Sequence, residues 1–144
     1  MQTIVSETLP ETLQAIDHSD DTEGIFMQEL IGKREVGHIA LVAGGEVFPL
    51  VTNQEYKWKL DGNQGEVLGY PMGGIVQVDT DDQYGLVTEV IRPLEPWLKK
   101  TCFCGPIQVT AGYWEDRWQV IEYNVRIGIT SGPLMMEMLS LIHI

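Results

Sequence analysis

Positive charge is what this chain has least of. Nine Lys and Arg stand against 21 Asp and Glu, a formal net charge of −12. So thin a basic complement excludes a broad phosphate-tracking surface, and with it nucleic acid or an anionic membrane as partner. Cysteine is nearly absent as well. Cys102 and Cys104 are separated by one residue, a spacing that suits neither a disulfide nor a four-ligand zinc site without two further ligands. Both read as packing residues near a helix-to-strand connection. His18, His38 and His143 are dispersed, so no transition-metal cluster is written in the sequence, and nothing in the spacing recommends a Cys-His nucleophile. No run approaches the ~20 apolar residues of a membrane span, and the N-terminus carries neither the basic nor the apolar region of a signal peptide. The expected location is the cytoplasm. What is there is a chain of 144 residues, 44% hydrophobic, which allows one domain at most with enough length to bury a core.

Periodicity and turn chemistry outline an α+β domain, an antiparallel sheet covered by helices. Thr3 to Val5 reads as a short strand. Thr8-x-x-Glu11 is a capping box opening a helix with Leu9, Leu13 and Ile16 on one side, Pro10 being tolerated in its first turn. The acidic run from Asp17 to Glu23 is a solvated loop, since it lacks glycine at calcium-loop spacing. Phe26 to Leu30 and Val36 to Val42 read as strands, Gly44-Gly45 marks a hairpin, and a third strand runs to about Thr52. Thr80-Asp81-Asp82-Gln83 is a second capping box. Tyr84, Val87, Ile91, Leu94 and Leu98 follow at helical spacing, so the pattern predicts a long amphipathic helix that Pro93 and Pro96 kink or split. Ile107 to Tyr113, a turn at Glu115-Asp116, and Trp118 to Val125 make an antiparallel pair that sets Gln108 and Thr110 opposite the strand carrying Glu122. A last helix spans about Pro133 to Leu139, its methionines serving as core filler.

The most informative segment is Val120-Ile121-Glu122-Tyr123-Asn124-Val125-Arg126, in which polar residues recur at every second position of an apolar run. In an extended strand Glu122, Asn124 and Arg126 project to one face, with successive neighbours roughly 6 to 7 Å apart. A carboxylate and an amide oxygen at that spacing suit a shared Mg²⁺, which keeps waters and borrows phosphate oxygens, and an arginine beside them meets the phosphates as a planar fork of donors. A half-exposed strand with a solvated polar face is the plainer reading of the same seven residues.

Beyond its own chemistry, Glu-x-Asn-x-Arg after Val-Ile is similar to the metal-binding strand of the ATP-grasp ligases, and VIEYNVRIG resembles the version found in the phosphoribosylamine-glycine ligases (glycinamide ribonucleotide synthetases). Phe26-Met27-Gln28-Glu29-Leu30 followed by Glu35 resembles that family's adenine hinge and ribose-binding carboxylate. Phe48 to Lys57 resembles the strand bearing its substrate-loop lysine, and Asp61 to Gly65 with Gly69 to Gly74 resembles its glycine-rich loop. The likeness runs in order from about Ile4 to about Leu139. It departs at Gly65 to Gly73, where the family's asparagine is lost, at Gly128-Ile129-Thr130-Ser131, where two carboxylates are lost, and at Gln28, where an acid is usual.

The resemblance implies a carbon–nitrogen bond-forming ligase of purine biosynthesis, acting on small-molecule carboxylate and amine substrates with ATP and Mg²⁺, or Mn²⁺ in its place. In such enzymes ATP converts the carboxylate to an acyl phosphate that the amine then attacks. Gln28, Glu29, Leu30 and Ile31 match the hinge around adenine, and Glu35 the acceptor of the ribose hydroxyls. Glu122 and Asn124 match the metal ligands, Arg126 the phosphate-side arginine and Lys57 the basic residue beside the amine. Residues 1–138 would be the back half of an ATP-grasp unit whose N-terminal domain and mobile ATP lid lie upstream, which makes the piece alone a poor catalyst. Residues 139–144 resemble the translation of a transposon-derived sequencing adapter and are expected to be a non-native tail. The alternative is a non-catalytic binding or assembly module that keeps the scaffold and has lost the reaction.

Overall fold

The computed structural model describes residues 4–18, 24–29, 35–68 and 70–142. Its centre is a hairpin of β1 (Val36–Ala43) and β2 (Glu46–Tyr56). The turn between them uses Gly44 and Gly45 at φ +61° and +83°, the left-handed conformation that two-residue hairpin turns require. A short hairpin of β3 (Trp58–Leu60) and β4 (Gln64–Val67) follows, then β5 (Gly73–Val78). After a helical segment come β6 (Gly105–Trp114) and β7 (Arg117–Asn124), joined by Glu115 and Asp116 at φ +50° and +59°. The main sheet is antiparallel in the order β5-β2-β1-β6-β7.

Each face of this sheet has its own cover. On one, Ala40, Val42, Val47, Ile107, Val109 and Ala111 pack against Leu86, Val87, Val90, Ile91 and Leu98 of the helical segment. On the other, Ile39 and Val51 meet Met135 of a helix, Ser131–Ile142. The first cluster is the main core.

Two irregularities decide which residues face where. In the β1–β2 pair Ile39 lies opposite Val51 but Ala40 opposite Pro49, leaving Leu50 as an extra residue on β2. In the β6–β7 pair Thr110 lies opposite Glu122 but Ala111 opposite Val120, leaving Ile121 extra on β7. Both are bulges. Pro49, which cannot donate to a ladder, sits at the first of them.

The N-terminal helix α1 (Leu9–Asp17) carries the expected capping box: Thr8 Oγ1 accepts from Glu11 N at 3.5 Å and Glu11 Oε2 accepts from Thr8 N at 3.1 Å. The bonds from Glu7 and Thr8 N–H lower the Glu11 pKa. The long second helix is not formed. Val87–Ile91 is a π-helical turn, Arg92–Leu94 a 3-10 turn, and only α2 (Glu95–Lys100) is α-helical. Pro93 and Pro96 each remove a helix donor, and the start is delayed because Asp82, at φ +52°, lends its two carboxylate oxygens to Val87 N and Thr88 N at 2.9 and 2.7 Å. The cap lies at Asp82 where the sequence pattern pointed to Thr80.

Two expected strands are likewise not found. Ile4 and Val5 are unpaired, as are residues 24–29, with Phe26 76% exposed; neither segment pairs with a strand among the described residues. Thr3 and Leu30 lie outside those residues, as do positions 19–23 of the acidic run. The last helix, α3 (Ser131–Ile142), begins two residues before the expected Pro133. No helix among the described residues is long and apolar enough to cross a membrane.

Candidate functional site

Glu122 and Asn124 lie on β7 opposite Thr110 and Gln108, the two β6 residues the sequence pattern had placed across from that strand. Paired residues of adjacent strands share a face, so the register can be followed across the sheet. One row runs Val76, Asn53, Gly37, Thr110, Glu122, and the next Val78, Val51, Ile39, Gln108, Asn124. Tyr123 points the other way, and its hydroxyl donates to Val90 O at 2.7 Å. Arg126 lies beyond the end of β7, exposed, with Nη1 donating to Ile127 O at 3.3 Å. It is therefore offset from the Glu122 and Asn124 ladder.

Lys57 follows directly on β2 and is half-buried. Its Nζ meets Glu35 Oε2 at 2.6 Å. Burial disfavours the ammonium, but the Glu35 hydrogen bond and charge, joined by the charges of Glu55 and Glu122, outweigh it and raise the Lys57 pKa. Four residues from β7, β2 and the approaches to β1 and β3 are thus gathered into one electrostatic group. Among the described residues, three carboxylates act on one lysine and leave that group negative, a setting that favours a cation. Glu55 was not singled out by the sequence reading, yet a signal existed: Asn53, Glu55 and Lys57 repeat on β2 the alternation seen at Glu122 and Asn124.

Gln28 and Glu29 fall in the segment without strand structure, and Leu30 and Ile31 lie outside the described residues. Among the described residues matched to the adenine and ribose side, Glu35 is joined to the others through Lys57. The donor set at Glu122 and Asn124 is oxygen alone, on two same-face positions of one strand, and such a set fits a hard divalent cation that completes its sphere with water and phosphate.

A second polar cluster occupies the opposite face. Asp79 Oδ2 accepts from Thr52 Oγ1 at 2.5 Å, His38 Nδ1 lies 3.0 Å from the same hydroxyl, and Asp79 Oδ1 accepts from Gln83 N at 2.7 Å. His38 and Asp79 are fully buried. Burial lowers the His38 pKa, against the opposing charges of Asp79 and Asp82. Ligand atoms of His38, Asp79 and Asp82 lie within 4.8 Å of one another, but the oxygens of both aspartates already serve backbone and hydroxyl donors. This cluster fastens the helical cover to the sheet. No local pattern announces it, because its members come from separate strands and a loop.

No family model matches the chain. Among solved structures it is similar to the phosphoribosylamine-glycine ligase of Thermotoga maritima, at 23% identity and a TM-score of 0.56, over 70% of this chain and 26% of that one. The L-amino acid ligase of Bacillus licheniformis matches at 19% identity and a TM-score of 0.48, over 71% of this chain and 24% of that one. The chain spans about a quarter of the length of each. At such identity the first of these likenesses speaks to architecture and leaves activity open. In fold, an antiparallel sheet covered by helices, the chain is similar to part of the Thermotoga maritima ligase, consistent with a fragment of the ATP-grasp fold.

Proposed function

We propose that the chain is the ATP- and Mg²⁺-binding part of a carboxylate-amine ligase resembling phosphoribosylamine-glycine ligase, with residues 1–138 forming the back half of the ATP-grasp unit. The observation that carries this reading is the register that puts Glu122 and Asn124 on one sheet face, with Lys57, Glu35 and Glu55 grouped around the same charge. Glu122 and Asn124 would hold the metal, whose chemistry is to neutralise phosphate charge as ATP is cleaved. Glu35 would accept the ribose hydroxyls, with Gln28, Glu29, Leu30 and Ile31 lining adenine. Arg126 would meet phosphate oxygens from beyond the strand end. Lys57 would sit beside the amine substrate, and its raised pKa makes it a cationic positioning group and a poor proton acceptor.

Much of what such a reaction needs, above all exclusion of water from a reactive acyl intermediate, would come from outside this chain, so the isolated piece should bind nucleotide weakly and turn over little. One observation favours the second reading, a non-catalytic ATP-grasp-like binding or assembly module: Glu35 and Lys57 engage each other at 2.6 Å, leaving neither free for substrate until that pair opens.

Calorimetric titration of ATP, with and without Mg²⁺, into the chain and its Glu122→Ala and Asn124→Ala variants tests the site. Weak Mg-dependent binding that is lost in both variants is expected. Binding indifferent to the metal and to both residues would sink the ligase reading, and Mn²⁺ relaxation of solvent protons provides an independent check on the same variants.

A further inference from the structure

Cysteine is among the residue types most often buried, and the sequence pattern reads Cys102 and Cys104 as packing residues. Neither packs. Both are exposed free thiols, and they are the two cysteines of the chain. Phe103 between them turns inward, half-buried against the main core, which leaves its two neighbours on the outer side.

The turn that presents them is pinned at both ends. After α2, Cys102 N donates to Lys99 O at 3.2 Å and Phe103 N to Leu98 O at 3.0 Å. These are the two bonds of a Schellman ending, and Phe103 supplies its apolar contact by packing on the cluster that holds Leu98. Cys102 takes the left-handed position of that motif, at φ +53°, where glycine is the usual occupant. Directly beyond Cys104 the chain enters β6, with Gly105 paired to Val42. The two thiols are thus carried on ordered backbone, two positions apart.

What such a pair can bind follows from ligand number and softness. Two residues span at most ~7 Å, so both sulfurs reach a single ion. Structural zinc and iron–sulfur centres take four protein ligands, and the three-ligand group found among the described residues, His38, Asp79 and Asp82, includes neither cysteine. Hard cations take oxygen donors. Thiolates select soft ions, and a soft monovalent ion such as Cu(I) is satisfied by two sulfurs in line. Charge agrees with that ion. Two thiolates on one monovalent cation leave a single negative charge, and Lys99 and Lys100, two of only nine basic residues in an acidic chain, occupy the turn before Cys102. They offset that charge and the negative end of α2.

We infer that Cys102 and Cys104 form a chelating site for a monovalent thiophilic cation, Cu(I), on the turn between α2 and β6. Each sulfur releases its proton to water as it takes the ion, so affinity rises with pH. The site lies beside the Gly44-Gly45 turn, where a Gly45 Cβ would meet Lys99, at the other end of β2 from Lys57. It is independent of the ligase reading.

The test titrates the fully reduced whole chain with Cu(I), without oxygen, in competition with the coloured chelator bicinchoninate, and sizes the product by gel filtration. The expected result is one Cu(I) bound per monomeric chain, more tightly at higher pH, with Zn²⁺ unable to displace it. Cys102→Ser and Cys104→Ser each weaken binding about a hundredfold, because losing either arm loses the chelate, while urea midpoints stay at that of the unaltered chain. Full affinity in either single variant overturns the inference, as do two ions per chain or one ion bridging two chains. Binding that survives in the double Cys102→Ser, Cys104→Ser variant overturns it too, since other donors such as the α3 methionines then hold the ion. Displacement by equimolar Zn²⁺ counts against the two-coordinate site in the same way. Mg-dependent ATP binding, measured on the same samples, is unchanged by either substitution, so a failure of the ligase reading and a failure of this inference are read separately.

Discussion

Replacing Asp79 should destabilise this protein more than replacing any residue of the site face. Its two carboxylate oxygens accept from Thr52 Oγ1 at 2.5 Å and Gln83 N at 2.7 Å, on a side chain with no solvent exposure. Asp79→Ala leaves both donors without a partner and removes the anion facing His38. Charge-assisted bonds of this kind contribute about 1.5 to 3 kcal/mol each, and breaking a buried charged network costs about 3 to 5 kcal/mol in all. Thr52→Val removes only the shared hydroxyl and should cost about 1 to 3 kcal/mol. Acid adds a second signature. Burial lowers the His38 pKa from its ordinary 6.5, so the unfolded chain takes up a proton at a higher pH than the folded one. The contribution is fully present above pH 6.5 and is lost as pH falls from there through the folded-state pKa. One such proton sets a limiting slope of about 1.4 kcal/mol per pH unit. His38→Gln, which keeps a donor toward Thr52, should flatten that part of the profile. Urea unfolding from pH 8 to pH 4, followed by tryptophan fluorescence, measures both effects. Identical pH profiles for the unaltered chain and His38→Gln, or an Asp79→Ala loss under about 1 kcal/mol, would refute the account of this cluster.

Two smaller predictions follow from geometry alone. Gly45→Val should disrupt the central hairpin, because Gly45 sits at φ +83° and an added Cβ would lie 2.7 Å from Lys99 Cβ and 3.0 Å from its Cα; a loss of about 2 kcal/mol or more in urea unfolding is expected, against a near-neutral effect for Gly73→Ala, where an added Cβ meets nothing within 4 Å. Glu35→Gln should lower the Lys57 pKa, read from its side-chain ¹⁵N shift against pH, yet change stability by less than about 1 kcal/mol, since the pair is partly exposed to solvent.

Local chemistry was legible where it acts locally. Thr8 with Glu11 marked a helix start, Gly44-Gly45 and Glu115-Asp116 marked two of the three hairpins, and the residues of β6 and β7 marked a pair that sets Gln108 and Thr110 across from the Glu122 strand, its register being fixed only in the structure. The second helix was misread because its apolar spacing is compatible with any helical winding, while Asp82 and two prolines fix a π-turn followed by a 3-10 turn. Phe26 to Met27 has the composition of a strand, but composition does not supply an edge to pair with. The network of His38, Thr52 and Asp79 was invisible because its contacts link positions 14 and 27 residues apart. The site was partly legible: Glu122 and Asn124 share a face as their spacing implies, whereas the meeting of Lys57 with Glu35, and the part of Glu55 in it, depends on how β2 ends against the entry to β1.

The extra residues Leu50 and Ile121 have a consequence for how this fold tolerates change. Val47 and Pro49 alternate with the same parity as Val51, Asn53 and Glu55, and Trp118 and Val120 share parity with Glu122 and Asn124, so an uninterrupted ladder would send all of them to one side. Each bulge acts as a half-twist in the phase of the strand, which lets its first stretch serve the core and its second stretch serve chemistry. Length is therefore guarded more strictly than identity on β2 and β7. A point change at Asn53 or Asn124 alters one side chain; deleting the extra residue Ile121 would close the bulge and leave Val120 and Glu122 on opposite faces, whereas deleting Tyr123 from the regular ladder would turn Asn124 inward toward Val109 and Val90. New specificities on this scaffold are open to substitution and closed to single-residue deletion within the regular stretches of these strands.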